Sequence, residues 1–252
     1  MKENAIVTIE HKRPNYLWIS LCALQKVKHV DNFDVFVDID QGGFHEQFKE
    51  VTKSFPVTLT LRHAWSGGTL SQWMRALRAV FALGYKNVVF LEGDMLLRTD
   101  ALDYLNRAPK NECFTSLSAH FDPNLSQASY PPRTYVGYFP IGNWISCENF
   151  QRLNEYISAK KYVGQRLWNV YTGDENMEEH DRAFCFFTAS TGSRTQSADT
   201  NYVLHFGAIG LHCQDKSLEP LIFTADRNDW LPNLLAIKKE SPALLPLGFE
   251  YK

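Results

Sequence analysis

The stretch Asn87-Val88-Val89-Phe90-Leu91-Glu92-Gly93-Asp94-Met95-Leu96-Leu97 decides the fold. Four consecutive apolar residues run into two carboxylates separated by one glycine, and the chain then turns apolar again. A continuous apolar run of this kind reads as a strand buried on both faces, as in the centre of a parallel sheet. Loops beyond the carboxyl ends of parallel strands are where α/β folds place ligands. If the extended geometry continues past Leu91, Glu92 and Asp94 share a face. Two such hard oxygen ligands can hold a divalent cation, and a cation so held can grip a diphosphate. The competing reading is an exposed acidic turn, and the rest of the chain weighs towards the cation.

Upstream, strands and helices alternate. Ala5–Ile9 reads as a first buried strand, and Arg13-Pro14-Asn15 opens a helix to about Lys26 with Leu17, Leu21 and Leu24 on one stripe. Phe33–Ile39 is a second strand, ended by Asp40-Gln41-Gly42-Gly43; Phe44–Lys53 is helical, and Val57–Leu61 is a third strand. After a glycine-containing loop, Leu70–Leu83 carries Leu70, Met74, Leu77 and Phe81 at helical spacing, with Gly84 as its cap. This alternation implies a mostly parallel sheet flanked by helices. The second half is less regular: a strand at Phe114–Ser118, an aromatic, glycine-containing stretch at Tyr135–Ile145, a helix at Glu148–Ser158, an acidic segment at Thr172–Asp181 and a short strand at Tyr202–Phe206. The end, with Pro232, Pro242 and Pro246, reads as a wrapping tail. No linker composition interrupts the 252 residues, so one domain is expected.

Bulk properties narrow the function. Hydrophobic residues make up 44% of the chain, enough for a sizeable core, and the net charge of −2 gives no global basic field to recruit nucleic acid. Arg62, His63, Arg75 and Arg78 leave a local basic patch open. Five scattered cysteines without CxxC spacing argue against a zinc site or disulfide framework and fit a reducing compartment. Met1-Lys2-Glu3-Asn4 leads into a strand without an apolar leader, and no apolar stretch nears the roughly 18 residues of a membrane span; the expected location is cytoplasmic.

Several of these motifs, in this order, resemble a GT-A glycosyltransferase, the nucleotide-sugar-dependent fold. Ile6-Val7-Thr8-Ile9-Glu10-His11-Lys12-Arg13-Pro14-Asn15-Tyr16-Leu17 is similar to that fold's first strand and turn. The N-acetylglucosaminyltransferase I family is the nearest likeness: a strand there ends in a Glu-Asp-Asp metal motif, and Glu92-Gly93-Asp94 stands in its place with glycine in the middle. Val37-Asp38-Ile39-Asp40-Gln41-Gly42 resembles the second-strand end whose aspartate reads uracil. Phe139-Pro140-Ile141-Gly142-Asn143-Trp144 resembles an aromatic loop on the acceptor side, and Phe206-Gly207-Ala208-Ile209-Gly210-Leu211-His212 a late glycine loop that closes on the diphosphate. The resemblance implies a single GT-A-like domain over residues 1–252, with 1–110 as the nucleotide-sugar-binding half and 111–252 as the acceptor-side half and tail.

It also implies roles. Asp94 is the expected metal ligand for Mn²⁺ or Mg²⁺, with His212 completing the shell; Gly93 lets backbone approach the nucleotide, and Glu92 bonds ribose or orders metal-bound water. Thr8 and Glu10 line the base or ribose, Arg13 reaches a phosphate, and Asp40 accepts from an imide N–H, against a competing reading of Asp40 as turn chemistry. Gln72 and Arg75 sit one turn apart on a helix whose N-terminus favours anions, Arg78 being read as a solvated face. A carboxylate late in the chain takes the acceptor hydroxyl's proton in an inverting reaction; Asp174 and Glu175 fit by order, with Asp181 third, and helix capping is the competing use of these acids. Trp144, Tyr138 and His120 form either an acceptor platform or ordinary core.

Three functions compete. The first is a metal-dependent hexosyl- or N-acetylhexosaminyl-transferase that moves a sugar from a nucleotide-diphosphate sugar, UDP-linked by resemblance, to a hydroxyl on a glycan, lipid-linked sugar, protein or modified DNA base. The second is a nucleotidyltransferase that makes the nucleotide sugar; the absence of glycines around Lys12-Arg13-Pro14 argues against it. The third is a non-catalytic nucleotide-sugar-binding relative, which Gly93 keeps open.

Overall fold

The computed structural model describes residues 2–11, 14–40, 45–63, 68–119, 134–136, 138, 142–162, 167–168, 175–176 and 180–205. The first half alternates as the sequence implies: β1 (Asn4–His11), α1 (Pro14–Leu24), β2 (Phe33–Asp40), α2 (His45–Lys53), β3 (Leu59–His63), α3 (Thr69–Ala82) and β4 (Asn87–Glu92). Proline opens α1, where a missing N–H costs nothing, and Gly84 at φ 93° ends the α3 region with its amide on the Phe81 carbonyl. After a turn at Gly93–Asp94 come β5 (Met95–Leu97), α4 (Ala101–Arg107), β6 (Phe114–Ala119), β7 (Thr134–Tyr135), β8 (Asn143–Ser146) and α5 (Cys147–Lys160). The remainder is β9 (Leu167–Trp168), β10 (Glu175–Asn176), α6 (His180–Thr191), β11 (Thr195–Ala198) and β12 (Val203–His205).

Eight strands form one mixed, mostly parallel sheet in the order β3-β2-β1-β4-β8-β6-β11-β7. β1 lies between β2 and β4 and is parallel to both, and β3 is parallel to β2. β8 runs antiparallel to β4 and β6, and β11 is parallel to β6. The chain builds outward from β1 through β2 to β3, then returns to lay β4 on the other side of β1. That reversal makes the β1/β4 seam a topological switch point, where open α/β sheets leave a crevice for ligands beyond their carboxyl ends.

Both faces of the central strands are covered. Ile6 of β1, Val35, Val37 and Ile39 of β2, and Val89 and Leu91 of β4 pack with Leu17, Leu21, Leu102 and Leu105 from α1 and α4. Val7 and Ile9, Phe36, Val88 and Phe90 pack on the opposite face with Leu70, Trp73, Met74 and Leu77 of α3, Phe150 and Leu153 of α5, and Phe184 and Phe187 of α6. This double burial is why these strands are near-continuous apolar runs, each large side chain being worth roughly 1.5–3 kcal/mol. Among the described residues no helix is long and apolar enough to cross a membrane, and Cys22, Cys113, Cys147 and Cys185 are free thiols.

Several elements differ from the sequence reading, which did not name β5, β9, β10 or α6. β3 lies two residues later than expected. The helix expected to run to about Lys26 ends at Leu24. α4 was not foreseen, because seven residues are too few for a periodic stripe. β11 carries Thr195, Gln196, Ser197 and Ala198, all buried, so it shows neither an apolar run nor alternation.

Candidate functional site

The carboxyl ends of β1, β2 and β4 carry Glu10, His11, Asp38, Asp40, Glu92 and, one residue beyond the strand, Asp94. Glu10, Asp38, Asp40 and Asp94 are all buried, and Glu92 is half-buried. Buried carboxylates are costly unless something satisfies them. Their concentration at the switch point, rather than in the strand bodies, marks this end of the sheet as the site.

β4 stops at Glu92 and the chain turns through Gly93–Asp94, so the extended geometry that would put Glu92 and Asp94 on one face does not continue. The turn is docked on β1 instead. The Gly93 amide donates to the Ile9 carbonyl at 2.8 Å, and Ser20 Oγ of α1 donates to the Gly93 carbonyl at 2.5 Å. A Cβ built on Gly93 would lie 2.0 Å from Glu10 Oε2. Within this fold the missing side chain makes room for Glu10, which the sequence reading, with the nucleotide backbone in mind, did not foresee.

Asp40 is the last residue of β2, buried in the ladder opposite His11, so it is not a turn residue. His11 Nδ1 approaches Asp40 Oδ2 at 3.4 Å. Asp38, on the same face, is fully buried and was missed as a site residue; its spacing of two from Asp40 was the available signal. Arg75 Nη2 donates to Asp38 Oδ1 at 2.9 Å. Gln72 Nε2 lies within reach of the Asp38 carbonyl and Oδ1, both at 3.1 Å, and of the Glu10 carbonyl at 3.3 Å. Gln72 and Arg75 are therefore tied to the ends of β1 and β2. Arg78 turns away, its Nε donating to Asn154 Oδ1 of α5 at 2.7 Å, so Arg75 and Arg78 form no shared basic patch. Replacing Asp38 by alanine is expected to destabilise the fold by about 3 kcal/mol, because it strands a guanidinium that is only partly in water. Urea unfolding with a lowered midpoint and an unchanged slope is the check.

Trp144 is part of β8 inside the central sheet, opposite Val89 of β4, not part of a loop. It and Tyr138 are buried, Tyr138 packing edge-on to Phe184 at 4.9 Å and Phe114 at 5.1 Å. The ordinary-core alternative describes both; neither offers an open ring face for a sugar. Lys110 Nζ lies 4.6 Å from the Trp144 ring centroid and donates to the Leu105 carbonyl. Those contacts favour the ammonium, yet burial prevails and pushes the Lys110 pKa down to about 8. The folded protein then sheds this proton before the unfolded chain does, so the Lys110 contribution to stability rises between about pH 8 and the ordinary lysine value. Lys110→Met is expected to raise the melting temperature at pH 7 and to lose that advantage by about pH 10.

Glu175 lies in β10, paired with Trp168 of β9, and α6 begins only at His180. Glu175 is thus not a helix-start acid, which corrects that expectation; Asp181, the second residue of α6, occupies such a place. β12 pairs with β5 so that His205 stands opposite Met95, the neighbour of Asp94. Arg13, His120, Asp174 and His212 lie outside the described residues.

Among the described residues no cluster of three or more His, Cys, Asp or Glu side chains could hold a metal. A Mg²⁺-like cation at a phosphate takes one or two carboxylates and draws its other oxygens from substrate and water. Asp94, buried at the switch point with Glu92 two residues before it, fits that donor set.

Crystal structures of S. aureus TarS residues 1–349 are similar to this chain at 12% identity. The TarS structure alone matches with TM-score 0.51, covering 81% of this chain and 60% of that one. TarS in complex with UDP-GlcNAc matches with TM-score 0.52, covering 81% and 58%. The fold is GT-A-like. The chain spans about three-fifths of those TarS chains. No family model matches the sequence, and no curated protein does.

Proposed function

We propose that this chain is a nucleotide-sugar glycosyltransferase that transfers a sugar from a UDP-sugar to a hydroxyl acceptor. The observation that carries the reading is the set of buried acids at the β1/β4 switch point of a GT-A-like sheet. The likeness to TarS in its UDP-GlcNAc complex supports the donor class. The resemblance to the N-acetylglucosaminyltransferase I family supports inversion.

In this reading Asp40, held beside His11, accepts the imide N–H of a pyrimidine base. Gln72 and Arg75 hold the β1 and β2 ends that shape the base pocket. Asp94 holds the divalent cation, with His212 as the further ligand that the resemblance implies, and Glu92 bonds ribose or orders metal-bound water. When bound, the cation supplies Lewis-acid stabilisation of the leaving diphosphate. Asp174, Glu175 or Asp181 takes the acceptor hydroxyl's proton, and His120 contributes to the acceptor side.

The test is base selectivity. Uridine and thymidine diphosphates are expected to bind at least about tenfold more tightly than adenosine and guanosine diphosphates, because a carboxylate accepts from the pyrimidine imide. Competition binding that shows purine preference overturns the assignment of Asp40.

A further inference from the structure

Ser20 lies inside α1 and is 9% exposed, with Tyr16, Leu17, Ile19, Leu21 and Leu24 of the same helix also buried. The helix is apolar along the rest of this stretch, so a hydroxyl there costs desolvation unless it is bonded. A serine inside a helix commonly bonds the carbonyl four residues back. Ser20 Oγ instead donates across to the Gly93 carbonyl at 2.5 Å. That contact joins α1 to the turn between β4 and β5, 73 positions away.

The bonded carbonyl is one half of the peptide unit whose other half is the Asp94 amide. A peptide unit is planar, so whatever orients the Gly93 carbonyl also orients the start of Asp94. The Gly93 amide is held in its turn by the Ile9 carbonyl at 2.8 Å. Glycine at 93 is required by space, since a Cβ would lie 2.0 Å from Glu10 Oε2. Glycine also has the widest choice of backbone conformations, and here it directly precedes the candidate metal ligand. The two hydrogen bonds, one to β1 and one to α1, remove that freedom from both sides of residue 93. The bond from Ser20 is buried, where water does not compete for it.

We propose that Ser20 is a positioning residue for the divalent cation: its hydroxyl fixes the Gly93–Asp94 peptide and so holds the Asp94 carboxylate where a diphosphate-bound Mn²⁺ or Mg²⁺ requires it. Ser20 touches neither cation nor nucleotide in this assignment and acts through Asp94. Groups that orient a metal ligand set the affinity of the metal as well as the ligand itself does. The assignment rests on the donor-site reading above and adds to it a residue of α1, outside the set of strand-end acids.

The experiment measures UDP affinity by calorimetry with and without Mn²⁺, together with melting temperature, and reads the ratio of the two affinities. Ser20→Ala is expected to reduce the tightening by Mn²⁺ by about 2–10-fold, the worth of one neutral hydrogen bond, with metal-free affinity unchanged. Ser20→Cys keeps a side chain of similar shape but supplies only a weak donor, so it is expected to follow Ser20→Ala without opening a cavity. Ser20→Thr keeps the hydroxyl and is expected to retain most of the tightening. Tyr85→Phe is the control. It deletes the hydroxyl that donates to Asp34 Oδ2 at 2.6 Å, near the amino ends of β2 and β4, and is expected to lower the melting temperature without altering the tightening. Tightening unchanged in both Ser20→Ala and Ser20→Cys, whatever their melting temperatures, overturns the proposal and leaves Asp94 standing as the ligand. An equal loss in Tyr85→Phe, or a loss in Ser20→Thr at the wild-type melting temperature, overturns it as well. Absence of UDP binding or of tightening in wild type overturns the donor-site reading and this proposal together.

Discussion

Replacing the catalytic base is expected to cost turnover about 10²–10⁴-fold while leaving donor affinity nearly unchanged. The candidates are Asp174, Glu175 and Asp181. Proton removal from the acceptor hydroxyl matters only as attack begins, so a base contributes little to holding the donor. Asp174→Asn, Glu175→Gln and Asp181→Asn each keep size and hydrogen-bonding capacity and delete the charge. Glu175 sits in the short β10 ladder, so a cap at α6 cannot explain a loss of activity there. Asp181 lies in the first turn of α6, where an acid also stabilises the helix by a few tenths to about 1 kcal/mol. Its substitution is therefore read with turnover and melting temperature together: lost turnover with an unchanged melt assigns the base, and early melting with normal turnover assigns helix stabilisation. If all three variants turn over normally, the base lies elsewhere.

Asp94→Ala is expected to abolish the tightening of UDP binding by Mn²⁺, an effect of roughly 10–100-fold for charge-assisted contacts to the diphosphate. Asp94 is the buried acid that follows Gly93 in the turn docked on Ile9 and Ser20, so the backbone around it is held independently of the side chain. Asp94→Asn, which preserves shape, separates charge from packing. Equal affinity of wild type and both variants at saturating Mn²⁺ contradicts the assignment.

The architecture near the site was legible because double burial leaves a strong mark. Val88–Leu91 announced a central strand, and Leu70, Met74, Leu77 and Phe81 announced the helix covering it. β11 was illegible, since its Thr195, Gln196 and Ser197 are buried polar residues, with Thr134 of β7 donating to Gln196 Oε1 and Tyr104 of α4 to the Ser197 carbonyl. The site was legible as a set of acids and glycines, but not as contacts. Nothing in the order of residues says that Arg75 and Gln72 close on Asp38, that Trp144 belongs to a central strand, or that Gly93 faces Glu10 across 83 positions. Those facts depend on which strands become neighbours, and the switch point decides that.

The most direct measurement incubates the protein and Mn²⁺ with a panel of UDP-sugars and follows UDP release chromatographically, beside Asp94→Asn as control. The account expects slow release of UDP from at least one UDP-sugar, with water as acceptor, and little or none from the variant at an unchanged melting temperature. Release of UDP at equal rates from both proteins, or no turnover and no UDP binding across the whole panel, would contradict it.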